Sequence, residues 1–417
     1  MIKLSEVYGI SRGIPKYTYV DRSGLDARFS YLLDTERHIV IHGASKQGKS
    51  CLRRKNLDES NCVIIQCKPI MNNKEIWNNA LRQLEATFSS SINVTKKSSS
   101  SVGGKIDAEG NILVAKVAGE VHSEISSGHE NQYEKNFLAG KENDLDYLAT
   151  ELKQKNKRLI IEDFHYLTEE ERRNVAFDLK ALYELGVYVI VVGIWSEQNL
   201  LTYYNGDLTG RIEEININWN TVELSNVIEK GEEILNVKFN EDLKHEIIES
   251  SFQNVGILQR LAEKICLANN VLTPLLTSFN FEKNGNFDDA VKQVISDIGQ
   301  RYTRICEVFV KGFRTDTKLR IYYKIFRLLT KAAEQNLIIG LPSSFLLKNI
   351  QSLGDEEIRQ ADLTQCLDRI ERLQSSRQIT PLLVSYNKNL RLLALMDREF
   401  LFYRKYSGVN WDELVPD

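Results

Sequence analysis

The octapeptide Gly43-Ala-Ser-Lys-Gln-Gly-Lys-Ser50 constrains this chain more than any other stretch, because it joins two segments of different period. Before it, His38-Ile-Val-Ile-His42 is a short apolar, β-branched run that reads as a buried strand. After it, Ser50-Cys-Leu-Arg-Arg-Lys55 opens a helix. Strand, glycine loop and helix in that order make a P-loop. The glycines let backbone amides wrap a chain of phosphates, and the helix points its positive end at the same charge. Gly43, Ala44, Ser45, Lys46, Gln47, Gly48, Lys49, Ser50 and Cys51 are therefore the expected phosphate-binding segment. Lys49 is expected to reach the β and γ phosphates, and the Ser50 hydroxyl to ligate Mg²⁺.

The alternation continues downstream. Cys62-Val-Ile-Ile-Gln-Cys67 reads as a second strand, followed by a helix with Ile76, Trp77, Ala80, Leu81 and Leu84 on one face. Leu159–Ile161 and Val187–Val192 are further strands on either side of a helical segment from Thr168 to Leu185. Ile212–Ile217 reads as a fifth strand, with the amphipathic segment Val222–Leu235 after it. Strands and helices in alternation imply an α/β fold with a parallel sheet. Leu159-Ile-Ile-Glu-Asp163 is a hydrophobic strand ending in two acids, the Walker B half of such a site. Glu162 is expected to hold the Mg²⁺ shell through water and Asp163 to polarise the attacking water. Spacing alone leaves the order of these two roles open. His165 reads as structural.

No Asn-Lys-x-Asp tetrad follows the acidic strand, so adenine rather than guanine is the expected base. With these motifs in this order, roughly residues 17 to 270 resemble the AAA+ and STAND ATPases near the origin-recognition branch. That resemblance implies binding and hydrolysis of ATP with Mg²⁺. Tyr19-Val-Asp-Arg-Ser23 is similar to the box before the P-loop whose residues lie near adenine, which makes Tyr19 and Arg22 cofactor contacts. Asp21 and Ser23 depart from the usual glycine and acid of that box. Asp207-Leu-Thr-Gly-Arg-Ile212 is similar to the segment that carries an arginine toward a neighbouring subunit's γ-phosphate. Arg211 is the arginine-finger candidate, with a surface or helix-capping role as the alternative. Ser196 stands in the place of the first sensor. Asn254-Val-Gly-Ile-Leu-Gln-Arg260 resembles the second-sensor helix, but Gln259 falls where an origin-recognition ATPase offers arginine, and Leu258 where STAND proteins often have proline.

A chain of 417 residues, 42% hydrophobic and 27% charged, suits a soluble protein with two or three cores. The expected division is a lead-in over 1–36, a P-loop ATPase core over 37–236, a helical lid over 237–280 and a helical, winged-helix unit over 281–417. The core carries a Ser-rich insertion at about 87–143, in which Lys105–Val114 reads as a hairpin. In the last unit, Leu382–Tyr386 and Leu390–Leu395 flank Asn387-Lys-Asn389 as a second hairpin. Leu363–Leu373 is its candidate recognition helix, with Leu363, Leu367, Ile370 and Leu373 inward and Gln365, Arg369 and Arg372 outward. Arg301–Thr330 is locally basic and interleaved with Tyr322, Tyr323 and Phe326, a pattern of core aromatics more often than of base-stacking ones. The net charge of −3 gives no global pull toward nucleic acid or membrane. Six cysteines without CxxC pairs argue against zinc ribbons and a disulfide framework, and the sequence has no signal-like or membrane-spanning apolar run. A cytoplasmic location is expected.

Two functions follow from the resemblance. One is a STAND or AAA+ switch in regulation or antiphage defence, working as a homo-oligomer or through a separate effector protein. The other is a DNA-binding ATPase of the origin-recognition or transposition-helper type, gripping duplex DNA through the winged helix.

Overall fold

Runs of Ile and Val too short for helices, each followed by an amphipathic helix, assemble into an open parallel sheet. In the computed structural model, which describes residues 1–10, 13–84, 144–196, 198–313, 319–352 and 358–415, the chain begins with α1 (Leu4–Val7) and α2 (Leu25–Leu33). It continues through β1 (His38–His42), α3 (Lys49–Asn56), β2 (Cys62–Gln66), α4 (Asn73–Gln83) and α5 (Asp144–Gln154). Then come β3 (Arg158–Glu162), α6 (Glu169–Glu184), β4 (Ile190–Val192), α7 (Leu200–Tyr204) and β5 (Ile212–Asn216). The five strands lie in the order β2-β3-β4-β1-β5, all parallel. β1 is buried along its whole length between β4 and β5, while β2, its successor in sequence, lies at the far edge. The strand order reverses at β1, and such a point opens a crevice at the carboxyl ends of the strands.

The two faces of the sheet follow the period of two. Ile39, Ile41, Ile160 and Ile190 pack with Phe29 and Leu32 of α2 and Leu52 of α3. Val40, Ile65, Ile161 and Val191 face the other way, onto Trp77, Leu148, Leu179 and Leu201 from α4 to α7. Local signals fix the helix starts. Asn72 and Glu75 form a capping box on α4, and the Thr168 side chain caps α6, whose first turn holds Glu169, Glu170 and Glu171.

Beyond the sheet lie α8 (Thr221–Leu235), β6 (Val237–Phe239), α9 (Glu241–Ser250), α10 (Val255–Ala268) and β7 (Phe279–Phe281). The remainder comprises α11 (Asn286–Lys311), α12 (Ile321–Lys331), α13 (Glu334–Ile339), β8 (Leu341–Pro342) and α14 (Ser343–Gln351). It ends with α15 (Gln360–Ser376), β9 (Val384–Asn387), β10 (Leu392–Leu395), α16 (Glu399–Tyr406) and α17 (Trp411–Leu414). One apolar core runs from Leu4 and Tyr8 through Ile228 and Leu261 to Tyr302, Phe326 and Phe400. Helix α8, placed in the ATPase core by the sequence division, buries Leu224, Val227 and Ile228 in this second core, because its stripe meets α9 and α10. The boundary at 280 falls inside β7, which pairs in parallel with β6.

Strands β8, β10 and β9 form an antiparallel sheet in that order. The hairpin turn occupies 388–391, starting one residue later and ending two residues later than the sequence pattern places it. The Asn387 side chain accepts from the Leu390 amide at 2.7 Å, and Arg391 takes a left-handed conformation with φ 53°. The Ser-rich insertion, with the hairpin expected at Lys105–Val114, lies outside the described residues. Among the described residues no helix is long and apolar enough to cross a membrane.

The N-terminal helix is anchored by one close approach. Gly231 of α8 lies against the fully buried Tyr8, whose hydroxyl donates to the Ile228 carbonyl at 2.8 Å. A Cβ at Gly231 would stand 2.2 Å from the Tyr8 ring. Gly231→Ala should therefore displace Tyr8 and destabilise the fold by about 1–3 kcal/mol despite alanine's helix preference, read as a lower urea midpoint. An unchanged midpoint would refute this packing.

Candidate functional site

The glycine loop leaves β1 and turns over the end of β5. Gly43 has φ 136°, and a Cβ there would stand 2.6 Å from the Ile217 carbonyl, so only glycine fits. Gly48, with φ 80°, turns the chain into α3. Between them the loop closes on Lys49, whose Nζ donates to the carbonyls of Gly43 at 3.1 Å and Ala44 at 2.6 Å. Lys49 is 9% exposed, and burial pulls its proton affinity down to about 7 against the opposing pull of Asp163 and Glu162. The Gln47 carbonyl accepts from Arg22 Nη1 at 2.7 Å and from Trp219 Nε1 at 3.1 Å, tying the loop to the preceding box and to the chain beyond β5.

Strand β3 is longer than the apolar run that signals it, and its last residue is Glu162, paired with Gln66. One Glu162 oxygen lies 3.2 Å from Ser50 Oγ, and the other accepts from Arg53 Nε at 2.8 Å. A hydroxyl and a carboxylate converging beside a phosphate loop are the donor set that suits Mg²⁺, a hard cation that completes its shell with phosphate oxygens and water. Asp163, one step off the strand at φ 58°, takes a different position, and its side chain caps nothing in the following turn. Burial and the Glu162 charge raise its proton affinity, with Lys49 opposing. His165 is buried, accepts from the Ile194 amide at 3.3 Å and is held neutral by desolvation at about 3, consistent with a structural part.

A largely apolar cavity of ≈ 310 Å³ opens beside the loop, lined by Tyr19, Arg22, Gly48, Cys51, Trp219 and Gln259 among others. Its size suits a nucleoside. Tyr19 donates to Asp26 at 2.5 Å, and Arg22 stacks 4.8 Å from the Trp219 ring. Gln259 also reaches Thr18 at 3.4 Å, whereas Arg260 pairs with Glu399. Ser196 ends the β4 connection with its hydroxyl buried and unpartnered, next to Trp195, which stacks on His42.

Arg211 lies elsewhere. It immediately precedes β5, whose first residue pairs with His38, so it sits at the opposite edge of the sheet from the loop. Five strand residues separate the two edges, about 16 Å. Its Nη2 meets Glu184 at 3.0 Å and its guanidinium lies 4.9 Å from the Tyr183 ring. Arg211 therefore does not reach the loop of its own chain.

The segment Met396–Glu399 joins the site with no sequence signal to announce it. The Met396 carbonyl accepts from the Ser45 amide at 2.9 Å, and Glu399 meets Lys46 Nζ at 2.7 Å. Arg301 bonds to Asp397 and, at 3.3 Å, to Glu399. The same C-terminal unit touches α6, where Glu371 meets Arg172 at 3.1 Å and Lys388 meets Glu169 at 2.7 Å. On α15, Leu363, Leu367 and Ile370 are buried, Gln365 and Arg372 exposed and Arg369 half-buried. In the basic stretch, Tyr322, Tyr323 and Phe326 are core residues, while Arg314, Asp316 and Lys318 lie outside the described residues. Arg53, one helical turn after Lys49, also joins the site, although the sequence does not distinguish it from its basic neighbours Arg54 and Lys55.

No family model matches the sequence, and no curated protein matches it. Solved structures do match in shape. The Walker-type ATPase of Pyrococcus abyssi superposes with a TM-score of 0.52 at 15% identity, covering 97% of this chain and 100% of that one. The Aeropyrum pernix ORC1 protein in complex with DNA gives a TM-score of 0.40 at 10% identity, covering 97% of each chain. A STAND protein with a tetratricopeptide-repeat sensor from Pyrococcus horikoshii gives 0.37 at 12% identity, covering 95% of this chain and 44% of that one.

The buried lysine has a consequence for pH. Its folded-state value near 7 lies below the ordinary 10.5, so the unfolded chain binds the extra proton between those values. Lys49 therefore adds stability to the free protein as pH rises through that window, and a polyphosphate that restores its charge reverses the effect. Polyphosphate binding at about pH 8 should take up about one proton more than at about pH 6, measured by calorimetry in buffers of different ionisation heat. Equal uptake at both values would show that Lys49 is charged throughout.

Proposed function

We propose that this chain, which has the P-loop ATPase fold of the AAA+ and STAND superfamily, is a magnesium-dependent switch that binds and hydrolyses ATP. The observation that carries the reading is the convergence of Lys49, Ser50 and Glu162 at the carboxyl edge of the sheet, beside a nucleoside-sized cavity. The loop amides and Lys49 hold the phosphates, and Tyr19, Trp219 and Gln259 enclose the base and sugar. Ser50 and Glu162 hold Mg²⁺, which when bound neutralises charge on the phosphate oxygens. Arg53 fixes the Glu162 carboxylate in that orientation. Asp163 then orients and polarises the attacking water, a part helped by its raised proton affinity. Arg211, at the far edge, serves only across an interface between copies, as an arginine finger for a neighbour.

The C-terminal unit is read as a winged helix that reports the state of the loop. A helix and hairpin gripping duplex DNA would present Lys388 and the α15 face to solvent, whereas here Lys388 and Glu371 pair with α6. The same contacts favour a switch in signalling or defence that acts through further copies or an effector protein.

The test is phosphate release from the purified chain with ATP and Mg²⁺, with and without duplex DNA. Lys49→Ala should lower turnover by about 100-fold or more, and Asp163→Asn by a similar factor while ATP still binds. Bound ATP with no turnover in the wild type would refute hydrolysis. Turnover stimulated by duplex, with affinity falling steeply between about 50 and 200 mM salt, would replace the switch with a DNA-bound ATPase.

A further inference from the structure

Most polar side chains in the wall of the nucleoside cavity are engaged elsewhere. The Tyr19 hydroxyl donates to Asp26, Arg22 Nη1 and Trp219 Nε1 donate to the Gln47 carbonyl, and Lys46 and Arg260 pair with Glu399. Gln259 differs. It is 7% exposed and lines the cavity, and its Nε2 donates to Thr18 Oγ1 at 3.4 Å. Its Oε1 has no partner among the described residues. A buried amide oxygen is thus left for whatever enters.

A free glutamine can turn either end of its amide to a ligand, because the two ends have the same shape. Here Thr18 decides which end is presented. Its hydroxyl donates to the Val7 carbonyl at 2.7 Å, and with that single proton committed Thr18 Oγ1 can only accept. Thr18 is 2% exposed, so turning its proton away would leave a buried carbonyl without its donor. The Gln259 amide must therefore point its NH₂ at Thr18 and its oxygen away from it. A chain of two hydrogen bonds, anchored on α1, fixes the sense of the amide.

The position along α10 says which part of a nucleotide meets this oxygen. A Cβ at Gly256 would stand 3.5 Å from Lys46 Cβ, so the first turn of α10 lies on the phosphate loop. Gln259 is one turn farther along the axis, about 4.5 Å. Its partner Thr18 is tied to α1 and not to the loop. With the phosphates on the loop, Gln259 attends the base end.

We propose that Gln259 selects the base, its amide oxygen accepting from the exocyclic amine of adenine and opposing the carbonyl that hypoxanthine presents in the same pose. Thr18 is the positioning residue, acting through the amide. This inference rests on the nucleotide-binding reading above and assigns the choice of base to named side chains. Adenine offers an amine donor on the edge where an oxo-purine offers an acceptor. An acceptor facing an acceptor leaves both buried groups unsatisfied, which is how a site built to hydrogen-bond one substrate rejects its analogue.

The test measures equilibrium affinities for ADP and for IDP, both with Mg²⁺, by calorimetry in the wild type, Gln259→Leu, Gln259→Glu and Thr18→Val. The wild type should bind ADP about 10- to 100-fold more tightly than IDP. Gln259→Leu should bring the two within about threefold of each other. Gln259→Glu, which offers acceptors alone, should weaken both nucleotides and keep their ratio, and it carries the test if the leucine variant fails to fold. Thr18→Val lets the amide turn its NH₂ to the hypoxanthine carbonyl, so the ratio should fall through tighter IDP binding, whereas a purely structural part for Thr18 would weaken both nucleotides alike. A ratio that survives Thr18→Val would overturn the lock. Equal affinities in the wild type, or losses by the same factor for ADP and IDP in Gln259→Leu, would overturn the base contact and leave the nucleotide site standing. A wild type that binds neither nucleotide would overturn both.

Discussion

The loop edge of this molecule depends on charged side chains, most of them buried, that meet polar or oppositely charged partners. Lys49 leans on loop carbonyls, Arg53 on Glu162, and Arg260, Arg301 and Lys46 on Asp397 and Glu399. Removing either partner of such a pair leaves an uncompensated charge, worth about 3–5 kcal/mol where burial is complete. The loop cannot therefore be treated as a local motif. One of its cations, Lys46, is paired with Glu399, 353 positions later in the chain. A phosphate chain entering the loop brings negative charge into a place where two carboxylates already supply it. Asp397 and Glu399 tie the C-terminal unit to the loop and to α11 through Lys46 and Arg301.

What the sequence made legible follows the range of the interactions. The glycine loop is local: Gly43 and Gly48 take conformations that few other residues tolerate, and flanking periodicity identified the strand and the helix around them. The acidic strand end was equally plain, and only the structure shows that Glu162 is still on the strand while Asp163 has left it, which separates their surroundings. Periodicity also identified the buried side of α15. The hairpin shifted because Asn387 caps its own turn, a side-chain effect that alternation does not report. Met396–Glu399 and Arg53 were missed for different reasons. The former is apolar-to-charged chain with no motif, placed by tertiary contact alone. The latter looked like one of several lysines and arginines on α3, and its burial against Glu162 is a property of the fold. Helix α8 was assigned to the wrong core for the same reason: an amphipathic stripe states that it will be buried and not against what.

The character of the contacts divides the molecule into what stays together and what can separate. The lid, α1 and the C-terminal helices share one continuous apolar core, which holds them together as one body. Several contacts between that body and the sheet domain are instead polar: Ser45 with Met396, Lys46 with Glu399, Arg172 with Glu371 and Lys388 with Glu169. Partly exposed ion pairs of this kind contribute about 0–1 kcal/mol each. Carrying a two-state equilibrium from one side to the other takes a differential affinity of about 5.5 kcal/mol. A handful of weak polar contacts and a ligand with several charges are thus of the same order, whereas an apolar interface of the size of the shared core would exceed anything a nucleotide could oppose. The polar seam is thus the weaker kind of contact in this fold, and the apolar core the stronger.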